Sequence, residues 1–104
     1  SKFDSEPLEH PLFVTLHFFL QRPKSHYRAG KFSHLLKKSA PLEFIGKPDI
    51  DNLAKFVLDS CNDLLWKDDS IITILLCRKY YAKQDEFPRT EILIRDLNET
   101  DIKH

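Results

Sequence analysis

The sequence predicts an α+β domain in which a small sheet with antiparallel strands carries one amphipathic helix on a face. Three observations lead there. Residues 12–20 (LFVTLHFFL) interleave large apolar, β-branched and aromatic side chains in the manner of a strand buried on at least one side. From Asp51 to about Leu65, apolar positions recur at helical spacing. Two further apolar runs, over 71–81 and 90–95, follow across a short polar connection and read as an antiparallel pair.

Residues 21–48 contain Pro23, Gly30, Pro41, Gly46 and Pro48 without sustained periodicity. They are expected to form a loop with a short turn near Phe32–Lys38, and a loop of this length inside a domain is usually functional or disordered. The helix follows Pro48, with Asp49 or Asp51 as its N-cap. Leu53, Val57, Cys61 and Leu64 form its buried side, and Asn52, Lys55, Asp59 and Asn62 its polar side. The run Ile71–Leu76 is so apolar that its strand is expected away from the sheet edge. Thr90–Arg95 alternates like a strand with one wet face, and the tail from Asp96, lacking any pattern, is expected to fray.

At 104 residues with no internal repeat, the chain suits a single domain, 1–104, burying roughly 60% of its unfolded surface. Hydrophobic content of 41%, with only two glycines, excludes a fibre or a linker. The longest apolar run is interrupted by His17 and falls well short of the roughly 20 residues that span a bilayer. No secretory leader pattern opens the chain. Cys61 and Cys77 show no Cys-x-x-Cys spacing, so both are expected as buried free thiols of an intracellular protein in the cytoplasm or nucleoid.

The zero net charge conceals segregation. Residues 21–47 carry seven bases (Arg22, Lys24, Arg28, Lys31, Lys37, Lys38, Lys47) against Glu43 alone. Residues 49–69 carry six acids against Lys55 and Lys67. A basic stretch beside an acidic one suits a metal-dependent enzyme acting on a polyanion. Two solvated surface patches would give the same counts.

The acids gather at Asp49-Ile50-Asp51, where loop becomes helix, and at Asp68-Asp69, where the helix hands over to the next strand. A helix of fifteen residues separates its ends by about 22 Å, so these carboxylates share a metal only if Leu64-Leu65-Trp66 folds back. Carboxylates so gathered would repel, and a hard divalent cation such as Mg²⁺ would relieve that. A calcium EF-hand is excluded, because counting from Asp49 puts Leu53 and Ala54 where a ligand and a glycine are required. An N-cap with two surface acids remains the simpler account of a bare D-x-D. Lys55, one turn after Asp51, is either its ion-pair partner or a cation aimed at a bound phosphate.

The stretch Lys47-Pro48-Asp49-Ile50-Asp51-Asn52-Leu53-Ala54-Lys55, then Asp59, then Trp66-Lys67-Asp68-Asp69-Ser70, resembles the signature of RusA-type Holliday junction resolvases. The family pattern is K-P-D-x-D-N-L-x-K, a helix with Asp one turn later, and D-D before an apolar strand carrying a lysine, a position held here by Lys79. The signature occupies about 25 residues, and looser likeness extends over roughly 11–95. The resemblance implies a homodimeric, Mg²⁺-dependent endonuclease, with Mn²⁺ as a substitute, that cuts four-way DNA junctions by paired symmetric nicks in recombination and repair. It implies Asp49, Asp51 and Asp69 as catalytic metal ligands, Lys55 as the catalytic lysine, and Asp68 and Asn52 as residues behind them that hold the ligands in place. Arg22, Lys24, Arg28, Lys31, Lys37, Lys38, Lys47 and Lys79 are then the candidates for contact with DNA. Where many members have Gly after the helical Asn, and Gln two residues after the second Asp, this chain has Asp63 and Ile71. The family also places a strand and a helix, with a basic segment, ahead of the strand at 12–20, and this chain is expected to lack them. Two other functions fit the residues: a non-catalytic nucleic-acid-binding module with structural acids, and a phosphohydrolase of small phosphates.

Overall fold

The computed structural model describes residues 6–97. Strand β1 (Leu12–Leu20) is followed by a long excursion, helix α1 (Ile50–Cys61), strand β2 (Ile72–Tyr81) and strand β3 (Arg89–Asp96). Among the described residues the sheet has three strands in the order β2-β1-β3, parallel between β1 and β2 and antiparallel between β1 and β3. It is a mixed sheet with one helix, within the expected α+β class.

The expected pairing of the last two strands is therefore corrected, since β2 and β3 lie on opposite sides of β1. Residues 82–88 that join them number seven and include Pro88, longer than a tight hairpin loop and sufficient to carry the chain across one intervening strand. β2 is also an edge strand, contrary to expectation, with Ile74, Leu75 and Leu76 all exposed. It pairs with β1 in parallel through the helical crossover, and its apolar side chains at 74–76 stay exposed at the edge.

β1 alternates as anticipated: Leu12, Val14, Leu16 and Phe18 are buried while the residues between them are half-buried. These four pack with Ala54, Val57 and Cys61 of α1 and with Trp66. Each large side chain buried this way stabilises the fold by about 1.5–3 kcal/mol. The chain end is less frayed than expected, because Asp96 closes β3 and buried Leu97 donates its N–H to Pro11 at 2.8 Å. Residues beyond it lie outside those described.

The helix stops at Cys61, earlier than the periodicity suggests. Asn62 is extended and Asp63 adopts φ 63°, which turns the chain back. The turn is fastened by Asp63 N–H to the Trp66 carbonyl (2.7 Å), by the fully buried Trp66 ring, and by its indole N–H donated to Asn62 Oδ1 (3.0 Å). Leu8 adds bonds to Leu65 and Lys67 from outside. This is the fold-back that a shared carboxylate site requires.

The excursion between β1 and α1 is ordered by contacts rather than by a regular element. One 3-10 turn, Lys24–His26, precedes an antiparallel bridge between Tyr27 and Leu36, and a second, Gly30–Phe32, lies in the loop that the bridge closes. Arg22 donates to the Pro41 carbonyl at 2.7 Å and lies 3.9 Å from the Tyr81 ring centre. Among the described residues no helix is long and apolar enough to cross a membrane.

Candidate active site

Helix α1 presents Asp51, Lys55 and Asp59 at intervals of four residues, hence on one face, with about 6 Å of axial rise between successive members. That face borders β2. Together with Asp69, Leu75 and Cys77 these side chains line a hollow of about 370 Å³. Asp51, Lys55 and Asp59 are exposed, whereas Asp69 is half-buried. The helix positions the first three, the Trp66 turn delivers Asp69, and Leu75 and Cys77 supply an apolar wall.

Of the residues singled out from sequence, Asp51, Lys55 and Asp69 are brought together. Asp59 lines the same hollow, as its four-residue spacing from Lys55 and its place in the signature allow. Asp49 does not line the hollow. It occupies the N-cap position without a side-chain capping bond, and its Oδ2 instead accepts from Lys47 Nζ at 2.8 Å. Lys55 forms no ion pair with Asp51 among the described residues, so the lysine is not consumed in the local pair that its spacing allows.

The adjacent pair Asp68-Asp69 is divided by geometry. Asp68 caps the 3-10 turn Asp69–Ile71, accepting from the Ser70 N–H at 3.0 Å. Hydrogen bonding from Ser70, by its side chain and then by its backbone, holds the Asp68 carboxyl below the ordinary range. Asp69 is left to face the hollow. Asn52 is exposed on the first turn of the helix and does not line it.

Several cations have roles that the sequence did not disclose. Lys79 Nζ donates to the carbonyls of Gly46 (2.7 Å) and Pro48 (3.0 Å), pinning to β2 the segment that leads into Asp49. Arg22 is engaged with Pro41 and Tyr81, and Lys47 with Asp49. Lys24, Arg28, Lys31, Lys37 and Lys38 stand exposed on the excursion. Cys61 is buried, but Cys77 is only half-buried at the hollow, and burial pushes both thiols up.

No group of three or more His, Cys, Asp or Glu side chains is close enough to hold a metal ion among the described residues. The donor chemistry nevertheless fits Mg²⁺. The hollow offers carboxylate oxygens, and Mg²⁺ commonly binds through one or two carboxylates while keeping water and substrate phosphate as its other ligands.

The model of the family described as Endodeoxyribonuclease RusA matches residues 1–95. The chain belongs to the RusA endodeoxyribonuclease family. A relative from Bacillus subtilis (strain 168), described as the uncharacterized protein YqaN, is 33% identical over 88 residues, covering 85% of this chain. The chain spans 59% of the length of that relative. No solved structure matches.

Proposed function

We propose that this RusA-family chain is a metal-dependent endonuclease that cuts branched, four-way DNA by paired symmetric nicks, in recombination and repair. The observation that carries the reading is the hollow itself, lined by Asp51, Asp59 and Asp69 together with Lys55, which forms no ion pair among the described residues.

Asp51 and Asp69 would hold Mg²⁺, or Mn²⁺ in its place, with Asp49 drawn from its pair with Lys47. When bound, the ion supplies an activated water and a counter-charge for the leaving oxygen. Lys55 faces the phosphate and offsets charge that builds on its oxygens as the water attacks in line. Asp59 supplies a further carboxylate on the same face. Asp68 keeps Asp69 directed inward by capping the turn behind it, and Lys79 holds the Asp49 segment against β2. The exposed cations of the excursion grip the backbone of the DNA.

The active form is a C2 dimer, since two symmetric nicks require two sets of carboxylates. The edge of β2, unpaired among the described residues and carrying exposed Ile74, Leu75 and Leu76, offers a surface for a second copy. Nicking assays with and without Mg²⁺ on a four-way junction, a linear duplex and a mononucleotide test the reading. Metal-dependent cleavage of the junction is expected. Binding without cleavage would favour the non-catalytic module, and turnover of the mononucleotide alone would favour a small-phosphate hydrolase.

A further inference from the structure

A second concavity, of about 570 Å³, lies at the far end of β2. It falls within the usual size of small-ligand sites. Tyr27 and Leu36 come from the excursion, Tyr81 and Lys83 from the end of β2 and just beyond it, and Arg22, His34 and Asp85 also line it. Its walls are fixed without a ligand. Arg28 N–H bonds the Leu35 carbonyl at 2.8 Å, Lys37 N–H bonds that of His26 at 2.9 Å, and Gln84 Nε2 reaches the Ser33 carbonyl at 3.1 Å.

The two aromatic walls differ in a way that matters. The Tyr81 ring is occupied, with Arg22 against it at 3.9 Å and Phe44 at 4.7 Å. Tyr27 makes no ring contact among the described residues. An uncommitted aromatic with Lys83 and Arg22 in the same lining, against the one acid Asp85, suits a nucleotide, with its base stacked and its phosphate neutralised.

Position ties this pocket to the hollow. Leu75, Cys77, Lys79 and Tyr81 lie on the same face of β2 by strand alternation, and Cys77 and Tyr81 are about 13 Å apart along it. That is the length of roughly four nucleotide steps. We infer that the pocket receives one unpaired nucleotide of the DNA, a few nucleotides from the phosphate that is cut, with its base against Tyr27 and its phosphate toward Lys83. The inference rests on the DNA reading above and deepens it. A paired, stacked base must first be extruded to enter, whereas a base at a branch point is already loosened, so the pocket selects branched over intact duplex DNA.

The test uses the full chain without divalent metal, and fluorescence anisotropy with a short single-stranded oligothymidylate, a linear duplex and a four-way junction. Tyr27→Leu and, separately, the exposed-site variant Lys83→Glu should each weaken single-strand and junction binding by at least about fivefold, the lower end of what one base–aromatic stack contributes. Duplex affinity should stay within about twofold, and Tyr27→Phe, which keeps the ring, should restore binding. Unchanged single-strand and junction affinity in Lys83→Glu, or in a folded Tyr27→Leu, overturns the pocket even if junction cleavage is observed. Loss of oligothymidylate binding in these variants, with no metal-dependent cleavage by the parent, supports the pocket and refutes the nuclease reading. If thymidine monophosphate competes as well as the oligonucleotide, the ligand is a free nucleotide and the proposed DNA source is overturned.

Discussion

Replacing Trp66 by Phe tests the turn that delivers Asp69 to the hollow. Trp66 is fully buried, and its indole N–H reaches Asn62 Oδ1 at 3.0 Å. The smaller ring leaves about 40 Å³ unfilled, which at ~24 cal/mol per Å³ costs about 1 kcal/mol. Loss of the hydrogen bond contributes about 1 kcal/mol more. Since Asn62 is half-buried, water can replace its partner in part, so the larger penalty of a sealed polar group does not apply. A total of about 2 kcal/mol in a domain of this size lowers Tm by roughly 8–16 °C. Thermal and urea unfolding measure that loss.

The bond and the cavity separate in a double-mutant cycle with Asn62→Ala. The two single changes should couple by about 1 kcal/mol, because each removes the same bond. Strict additivity would show that the bond contributes nothing and that packing alone holds the turn. Nicking by Trp66→Phe, measured well below its Tm, should also fall, since Asp69 follows the ring by three residues. Full activity in a measurably destabilised variant would refute the idea that the turn aims the carboxylate.

The remaining predictions concern the hollow and its surroundings. Asp51→Asn should abolish metal-dependent nicking while leaving junction affinity within a few-fold; Asp49→Asn and Asp69→Asn should match it, Asp68→Asn should be milder, and a dead Asp68→Asn beside a competent Asp69→Asn would reverse their roles. Lys55→Ala should lower turnover on the order of 10²–10³, with Tm unmoved because no ion pair to Asp51 is lost among the described residues. Replacing Lys24, Arg28, Lys37 and Lys38 by Ala should flatten log affinity against log salt by about 0.9 per lost phosphate contact, and an unchanged slope would remove the excursion from the footprint. Because Ser70 depresses the Asp68 pKa in the folded state, the stability it confers is present above the ordinary Asp value of about 3.9 and is lost as pH falls through the lower folded value. The urea midpoint of the parent should therefore drop more on acidification than that of Asp68→Asn.

Local periodicity revealed what local periodicity determines. The strand at 12–20 was legible because every second residue from Leu12 to Phe18 is buried, and the helix because Ala54, Val57 and Cys61 fall on one side. Its end was not, since Leu64 and Leu65 continue the apolar spacing while the stop comes from Asp63 in a left-handed conformation. Strand order was not legible because sequence proximity favours a hairpin, and only the length of 82–88 hints that β1 lies between. In the excursion, the contacts of Arg22 with Pro41 and Tyr81 join residues 19 and 59 positions apart, which no local pattern can announce.

The candidate site follows from the parity of β2. Val14, Leu16, Phe18 and Leu20 of β1 pair with Leu75, Cys77, Lys79 and Tyr81, and these four point to the helix side of the sheet. Leu75 and Cys77 wall the hollow, Lys79 pins the segment before Asp49, and Tyr81 backs the second pocket. Asp69, just ahead of the strand, is fixed by the same register through the turn Asp69–Ile71. A slip of one residue would exchange this set for Ile74, Leu76, Arg78 and Tyr80, sending the lysine that fastens the Asp49 segment to the other face. The motif acids identify the chemistry, but the strand between them decides whether they meet, and its register is held by β1 rather than by anything in the motif.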